Sequence, residues 1–166
     1  GGDIEVPIVG AAQATAVAGG FELLLNCDVV VAADTANFGI PEVKRGLFAA
    51  GGGVYLSQRV PLAVALELAL TGDPIDANRA QQLGLINQVV AADKVLDAAV
   101  DLAERIAKNG PLGLAATKKI LRAASSDNDK ARAIFAEWQP KVFSSQDAKE
   151  GSLAFVEKRE PVWKGQ

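Results

Sequence analysis

The chain has 166 residues, of which 49% are apolar and 22% charged, so it has enough hydrophobic side chain to build a domain core. It has 17 basic and 20 acidic residues, no histidine and one cysteine, which excludes histidine-based catalysis, histidine metal ligands and a disulfide within the chain. The net charge of −3, the 5% aromatic content and the lack of an apolar run of about 18 residues argue against nucleic acids and membranes as partners.

The first elements are short apolar runs separated by glycine and alanine. Residues 6–9 predict a buried strand, and the small residues at positions 10–20 let the backbone pass close to another group. Helix formers resume at Phe21, so Gly19 and Gly20 lie where a helix begins and where its first amides have no intrahelical partner. Residues 29–33 predict a second strand, covered on both faces.

Further along the chain, proline and glycine residues mark the boundaries of the predicted elements. Pro41 favours irregular backbone, which places Glu42 on a loop or in a first helical turn. Residues 51–53 are all glycine and open into another helical segment, and a longer apolar helix follows Pro61. Asp76 is the predicted N-cap of a short helix that leads to a third strand at residues 85–90.

Helices are predicted for the remainder of the chain, over residues 93–109, 111–124, 130–144 and 148–159. Because strands come early and helices late, we expect an α/β core with the active site in residues 1–92 and a helical region in residues 93–166. Three short strands cannot protect the edges of a two-faced sheet, so we expect an upstream part to be missing or supplied by another chain. The lack of methionine agrees with this, and the lack of a secretion signal favours the cytoplasm.

Two glutamates in apolar surroundings are the candidate catalytic residues. Glu22 follows Gly20 among Phe, Leu, Ala and Val, and Glu42 follows Pro41 in an equally apolar segment. In a structural interpretation, Glu22 complements the positive end of its helix and Glu42 faces solvent. In a functional interpretation, the amides at the helix start stabilise an oxyanion, while the two carboxylates position water and move protons.

The order of these segments resembles the core signature of the crotonase, or enoyl-CoA hydratase/isomerase, superfamily. The similarity covers nearly the whole chain and corresponds to the carboxyl-terminal two thirds or so of such a protein. The matching segments are Pro7-Ile8-Val9, Ala16-Val17-Ala18-Gly19-Gly20-Phe21-Glu22-Leu23, Cys27-Asp28, Phe38-Gly39-Ile40-Pro41-Glu42, Gly46, Gly52-Gly53, Leu70-Thr71-Gly72-Asp73, Gly84-Leu85-Ile86 and residues 150–159. The resemblance implies a spiral of ββα units with a carboxyl-terminal helical trimerisation region, the amino-terminal part of the fold being absent from this chain.

By this resemblance, the catalytic residues are Gly19, Glu22 and Glu42. The Gly19 amide would donate one of two hydrogen bonds to the thioester oxygen, and the second donor would come from the absent upstream segment. Glu22 would orient or deprotonate a water molecule for attack at Cβ, and Glu42 would deliver a proton to Cα. Ala18 stands where the family has a first glycine, and we expect the turn to survive unless residue 18 needs a positive φ.

The resemblance also implies the ligands and the assembly. The chain would act on an acyl-CoA thioester in fatty acid or lipid metabolism as a homotrimer or homohexamer. It would use neither a metal nor a separate cofactor, because CoA is part of the substrate. Phe155 would contact the adenine and Lys158 the phosphates of CoA; alternatively, their helix has one core aromatic and a solvated charge run.

Three functions stay open at this point. Both glutamates favour an enoyl-CoA hydratase-like lyase. An isomerase or a carnitinyl-CoA-type dehydratase would use the same carboxylates, and residues 158–165 are especially similar to the carnitinyl-CoA dehydratases. An incomplete, non-catalytic assembly module is the alternative from another class, because the second oxyanion donor is expected to be absent.

Overall fold

The computed structural model describes residues 4–166, apart from the side chains of residues 54 and 55. These residues form two compact units: an α/β unit of residues 8–103, and a helical unit of residues 4–7 and 104–166. No helix within the described range is long and apolar enough to cross a bilayer. The functional division expected after residue 92 stays a prediction.

The elements of the α/β unit follow one another closely along the chain. In order they are β1 (Val9–Ala12), β2 (Ala16–Val17), α1 (Gly19–Leu25), β3 (Val29–Ala33), β4 (Asn37–Gly39), a 3₁₀ helix (Pro41–Arg45), a second 3₁₀ helix (Gly53–Gln58), α2 (Leu62–Thr71), β5 (Ile75–Asp76), α3 (Ala77–Gln82), β6 (Gln88–Val90), a third 3₁₀ helix (Ala92–Lys94) and α4 (Val95–Ala107), whose last turn belongs to the helical unit. The helical unit continues with α5 (Pro111–Ala124), α6 (Asn128–Phe143) and α7 (Gln146–Glu157).

One parallel sheet has the order β1-β3-β6, in which β3 and β6 fall within predicted strands, whereas the buried strand predicted at residues 6–9 is wrong apart from Val9, and Val6 is exposed. The central strand β3 is buried from residue 30 to residue 33, as expected for a strand covered on both faces. β1 starts later than predicted, because the Ile8 amide donates to the Asp28 carboxylate at 2.7 Å instead of to a neighbouring strand. β6 covers only the end of the predicted run 85–90, although Leu85 and Ile86 are buried in the core.

A second sheet, in the order β2-β4-β5, was not predicted from the sequence. β2 and β4 are parallel, whereas β5 pairs with β4 in the antiparallel direction. Strands of two or three residues show no alternation of polar and apolar positions, so the pattern that predicts a strand is absent here. This small sheet supports the segments that carry both candidate glutamates.

The helical unit packs around Trp138 of α6, which is buried against Ala115 and Ala116 of α5. The ammonium groups of Lys119 and Lys141 lie 4.6 and 5.6 Å from the centre of its ring, within the range of a cation–π contact. Asp127 caps α6 and Ser145 caps α7 through side-chain hydrogen bonds to backbone amides. Both helices therefore begin two residues before their predicted starts.

Candidate active site

The two candidate glutamates lie beyond the same edge of the second sheet. β2 and β4 are parallel neighbours, with Val17 opposite Gly39. β2 leads into α1, which carries Glu22, and β4 leads into the 3₁₀ helix that carries Glu42. Because the carboxyl ends of parallel strands meet at one edge, the two segments that carry the glutamates start from adjacent positions.

Two further contacts fix α1 against β4. The Ala18 amide donates to the Gly39 carbonyl at 2.9 Å. The rings of Phe21 and Phe38, both buried, lie 5.6 Å apart in a tilted arrangement that aromatic pairs favour. Since Phe21 directly precedes Glu22, this packing fixes the element that carries the first glutamate relative to the strand that precedes the second.

Ala18 adopts a backbone conformation that is unusual for a residue with a side chain. It is the N-cap of α1, with φ 53° and ψ −133°. A methyl group is unfavourable in this region, which glycine adopts freely. Residue 18 therefore has the positive φ that was expected to be incompatible with alanine, yet the turn forms with alanine in place. The next residue, Gly19, is exposed at the start of α1, where amides have no acceptor within the helix.

Glu22 is buried, with only 7% of its surface exposed. Its Oε1 accepts a hydrogen bond from the Gly53 amide at 2.9 Å, and this bond is buried. A Cβ on Gly51 would lie 2.5 Å from Glu22 Oε2, so a side chain at this position would displace the carboxylate. The glycines of residues 51–53 therefore let the backbone close around Glu22, a role that the sequence did not reveal because the partners are 31 residues apart.

Glu42 is half-buried in the first turn of its 3₁₀ helix. Its Oε2 is buried and has no hydrogen-bond partner in the part of the chain that the structure describes. This position is incompatible with a solvent-facing loop residue, the structural interpretation considered above for Glu42. Buried carboxylate oxygens are normally paired, because an unpaired one is costly, so we expect this oxygen to bind water or a ligand.

The two residues predicted to contact CoA belong to the other unit. Phe155 lies near the end of α7 and is 85% exposed, so it is not the core aromatic of the alternative interpretation. Lys158 is the exposed C-cap of the same helix, with φ 53°. The structure thus brings the segments that carry Gly19, Glu22 and Glu42 to one edge of the α/β unit, while the catalytic roles of these residues and the CoA contacts of Phe155 and Lys158 stay predictions.

Comparison with known proteins gives one consistent result. A family model described as enoyl-CoA hydratase/isomerase matches residues 2–166. A carnitinyl-CoA dehydratase from Proteus mirabilis (strain HI4320) is 40% identical over 169 aligned residues, which cover 98% of this chain and 65% of that protein. The corresponding protein of Citrobacter koseri is also 40% identical, with the same coverage. The chain therefore spans slightly less than two thirds of the length of these curated relatives.

Solved structures agree with this result. An enoyl-CoA hydratase from Mycobacterium tuberculosis H37Rv superimposes with a TM-score of 0.91 at 49% identity, covering 96% of this chain and 64% of that one. An enoyl-CoA hydratase from Bacillus anthracis gives a TM-score of 0.94 at 31% identity, covering 99% of this chain and 65% of that one. The crotonase-like α/β fold implied by the sequence resemblance is confirmed.

Proposed function

Because the chain belongs to the enoyl-CoA hydratase/isomerase family, we propose that it carries the acid–base residues of a lyase that adds water reversibly to an α,β-unsaturated acyl-CoA thioester. The observation that carries this proposal is that the buried Oε2 of Glu42 has no partner among the residues that the structure describes, at the edge where the segment with Glu22 also starts. Water addition requires two groups that exchange protons with one water molecule and with the substrate carbon. Two carboxylates beyond adjacent strand ends meet that requirement.

In the proposed reaction, Glu22 and Glu42 hold the water molecule between them. Glu22, oriented by the Gly53 amide, accepts a proton from the water as its oxygen bonds to Cβ. The electron pair of the double bond moves to form an enolate, whose oxygen accepts a hydrogen bond from the Gly19 amide. Glu42 gives a proton to Cα. The proton that Glu22 took from the water then passes to Glu42, which restores both carboxyl groups to their starting protonation states. The net reaction adds one water and needs no change of oxidation state.

The test is steady-state hydration of a short enoyl-CoA by the full-length protein. Glu22→Gln and Glu42→Gln each remove a proton-transfer group and keep the side-chain size, so we expect kcat to fall about 100-fold or more. Glu67→Gln is the matched control, because Glu67 is an exposed glutamate of α2. Wild-type turnover in both active-site variants would show that the mechanism is wrong.

Dehydration of a hydroxyacyl-CoA of the carnitinyl type is a second candidate, favoured by the curated relatives named carnitinyl-CoA dehydratase. An isomerase would use the same two carboxylates to move a proton between substrate carbons. Product analysis with a panel of acyl-CoA thioesters separates the three reactions. The same panel tests the non-catalytic alternative, since an assembly module would turn over none of them in the full-length protein.

We further propose a cytoplasmic homotrimer or dimer of trimers in which the helical unit forms subunit contacts. The support is that several large apolar side chains are exposed on the helices of this unit, more than the scattered single residues of an ordinary surface. They are Leu121, Phe135, Phe143, Phe155 and Val156. Light scattering of the full-length protein measures the assembly.

Phe155→Ala should raise KM for the acyl-CoA with kcat unchanged, because adenine contacts act equally on the ground state and the transition state.

A further inference from the structure

Arg59 links the carboxyl end of α1 to the glycine-rich segment. It directly follows the second 3₁₀ helix, and its Nη1 donates a hydrogen bond of 2.7 Å to the carbonyl of Leu25. Leu25 is the last residue of α1, where carbonyls have no partner within the helix. A cationic donor is favoured there, because the carboxyl end of a helix carries partial negative charge.

The opposite end of the same 3₁₀ helix is attached to α1 through Glu22. Its first residue, Gly53, donates its amide proton to Glu22 Oε1. Between these two points, Asn26 Nδ2 donates to the Glu22 carbonyl at 2.9 Å and would lie 3.3 Å from a Cβ on Gly52. The short helix is thus held to α1 at both ends, and Glu22 is one of the two attachment points.

This attachment matters because the segment has little stiffness of its own. Three successive glycines lose much conformational entropy on ordering, and 3₁₀ hydrogen bonds have poorer geometry than α-helical ones. Burial of Leu56 and Val60 fixes which face of the segment turns inward, but apolar contact is less directional than a hydrogen bond and tolerates small shifts of the backbone. A guanidinium hydrogen bond is directional, so it sets the rotation that aims the Gly53 amide at Glu22.

We propose that Arg59 is a positioning residue for Glu22, which acts by fixing the 3₁₀ helix Gly53–Gln58 onto the end of α1. The inference rests on the proposed function, in which Glu22 must hold its carboxylate in one orientation toward water. Loss of Arg59 would leave the helix buried but less tightly oriented, and the Gly53 amide would then leave Glu22 Oε1 for part of the time. Catalysis would fall without a matching loss of substrate binding.

The experiment compares Arg59→Gln, Arg59→Lys and the control Arg79→Gln in the full-length protein. Arg79 is an exposed arginine of α3 in the same unit. The first readout is hydrogen–deuterium exchange resolved to the Gly53 amide, which does not depend on activity. The second is kcat and KM for a short enoyl-CoA.

For Arg59→Gln we expect Gly53 exchange to accelerate about 10-fold, because a hydrogen bond to a charged acceptor is weakened. We expect kcat to fall roughly 10- to 100-fold with KM changed by less than about twofold. Arg59→Lys should be intermediate, since lysine keeps the charge but not the planar fork, and Arg79→Gln should match the wild type. If the glutamine variant folds poorly, the lysine variant still tests the proposal through its intermediate Gly53 exchange rate and kcat.

Two results would overturn the inference. One is wild-type Gly53 exchange in both Arg59 variants. The other is a lowered melting temperature with kcat and KM both as in the wild type, which would make Arg59 a purely structural residue. Failure of the proposed function is a separate result: the wild-type protein would then show no hydration, while Gly53 exchange would still report on Arg59.

Discussion

Asp147 in the helical unit and Glu42 in the α/β unit both occupy the first turn of a helix, yet their carboxylates are paired very differently. Asp147 is 4% exposed, and its two oxygens accept from the Lys164 amide at 2.7 Å and the Gly165 amide at 2.9 Å. Glu42 Oε2 is buried without a partner among the described residues. A paired carboxylate stabilises its surroundings, whereas an unpaired buried one costs stability unless water or a ligand binds it.

Two glycine positions near Glu22 contrast with one in the helical unit. A Cβ on Gly53 would lie 2.5 Å from the Ala49 Cβ, and one on Gly51 would meet Glu22. In the helical unit, a Cβ on Gly113 of α5 would meet nothing within 4 Å. Glycine is therefore a packing requirement around Glu22, while at Gly113 the structure leaves room for a side chain.

The largest expected effect is that of Gly53→Ala. The added methyl group would force Ala49 or the Glu22 carboxylate to move, so we expect about 2–3 kcal/mol of destabilisation and loss of most hydration activity. Gly113→Ala, the matched control, should stabilise by about 0.5–1 kcal/mol because alanine is the better helix former. Urea unfolding measures both, and equal effects would contradict the contrast between the units.

Asp147→Asn and Glu42→Gln form the next pair. Asparagine offers one acceptor oxygen for the two amides, so we expect Asp147→Asn to destabilise by about 1.5–3 kcal/mol without loss of kcat. Glu42→Gln should leave stability unchanged or raise it while activity falls. Thermal unfolding and turnover of both variants provide the measurement, and strong destabilisation by Glu42→Gln would mean that this carboxylate is structural.

Ala18→Gly should have a smaller, stabilising effect. Removing the methyl group relieves the positive φ at the start of α1, and we expect a gain of about 1 kcal/mol. Ala133→Gly, at an exposed position inside α6, is the control and should lose about 1 kcal/mol. Chemical unfolding of both proteins tests this, and a loss of stability in Ala18→Gly would contradict strain at this turn.

The smallest effect concerns the ion pair between Glu150 and Arg159. The Arg159 guanidinium, and then the Val162 amide, lower the pKa of Glu150 from 4.5 to about 2. A carboxyl with a lowered folded pKa contributes stability above its unfolded value, and loses that contribution as the pH falls through its folded value.

The Tm difference between the wild type and Arg159→Gln should therefore shrink as the pH falls from about 5 to about 2. It should shrink with added salt as well, because both side chains of the pair remain accessible to solvent and ions. Thermal unfolding across this range provides the measurement, with Arg132→Gln as an exposed control. A difference that grows toward low pH would have the wrong sign.

Local sequence signals predicted much of the framework. Continuous apolar runs identified β3, Pro111 identified the start of α5, and Asp76 was correctly identified as the N-cap of α3, where it accepts from the Arg79 amide at 2.7 Å. These features depend on neighbouring residues, so the information is local. The second sheet was missed because its strands are too short to show a period.

The sequence by itself determined the family resemblance, the start of α1 at Gly19 and the choice of Glu22 and Glu42 as candidate acids, since these depend on residue type and order. Only the tertiary structure decided that Ala18 has a positive φ, that the Gly53 amide binds Glu22 and that no group in the described part of the chain pairs with Glu42 Oε2. Each of these depends on how distant segments pack. Hydrogen bonding and burial between segments far apart in the chain leave no pattern in the residues that make them.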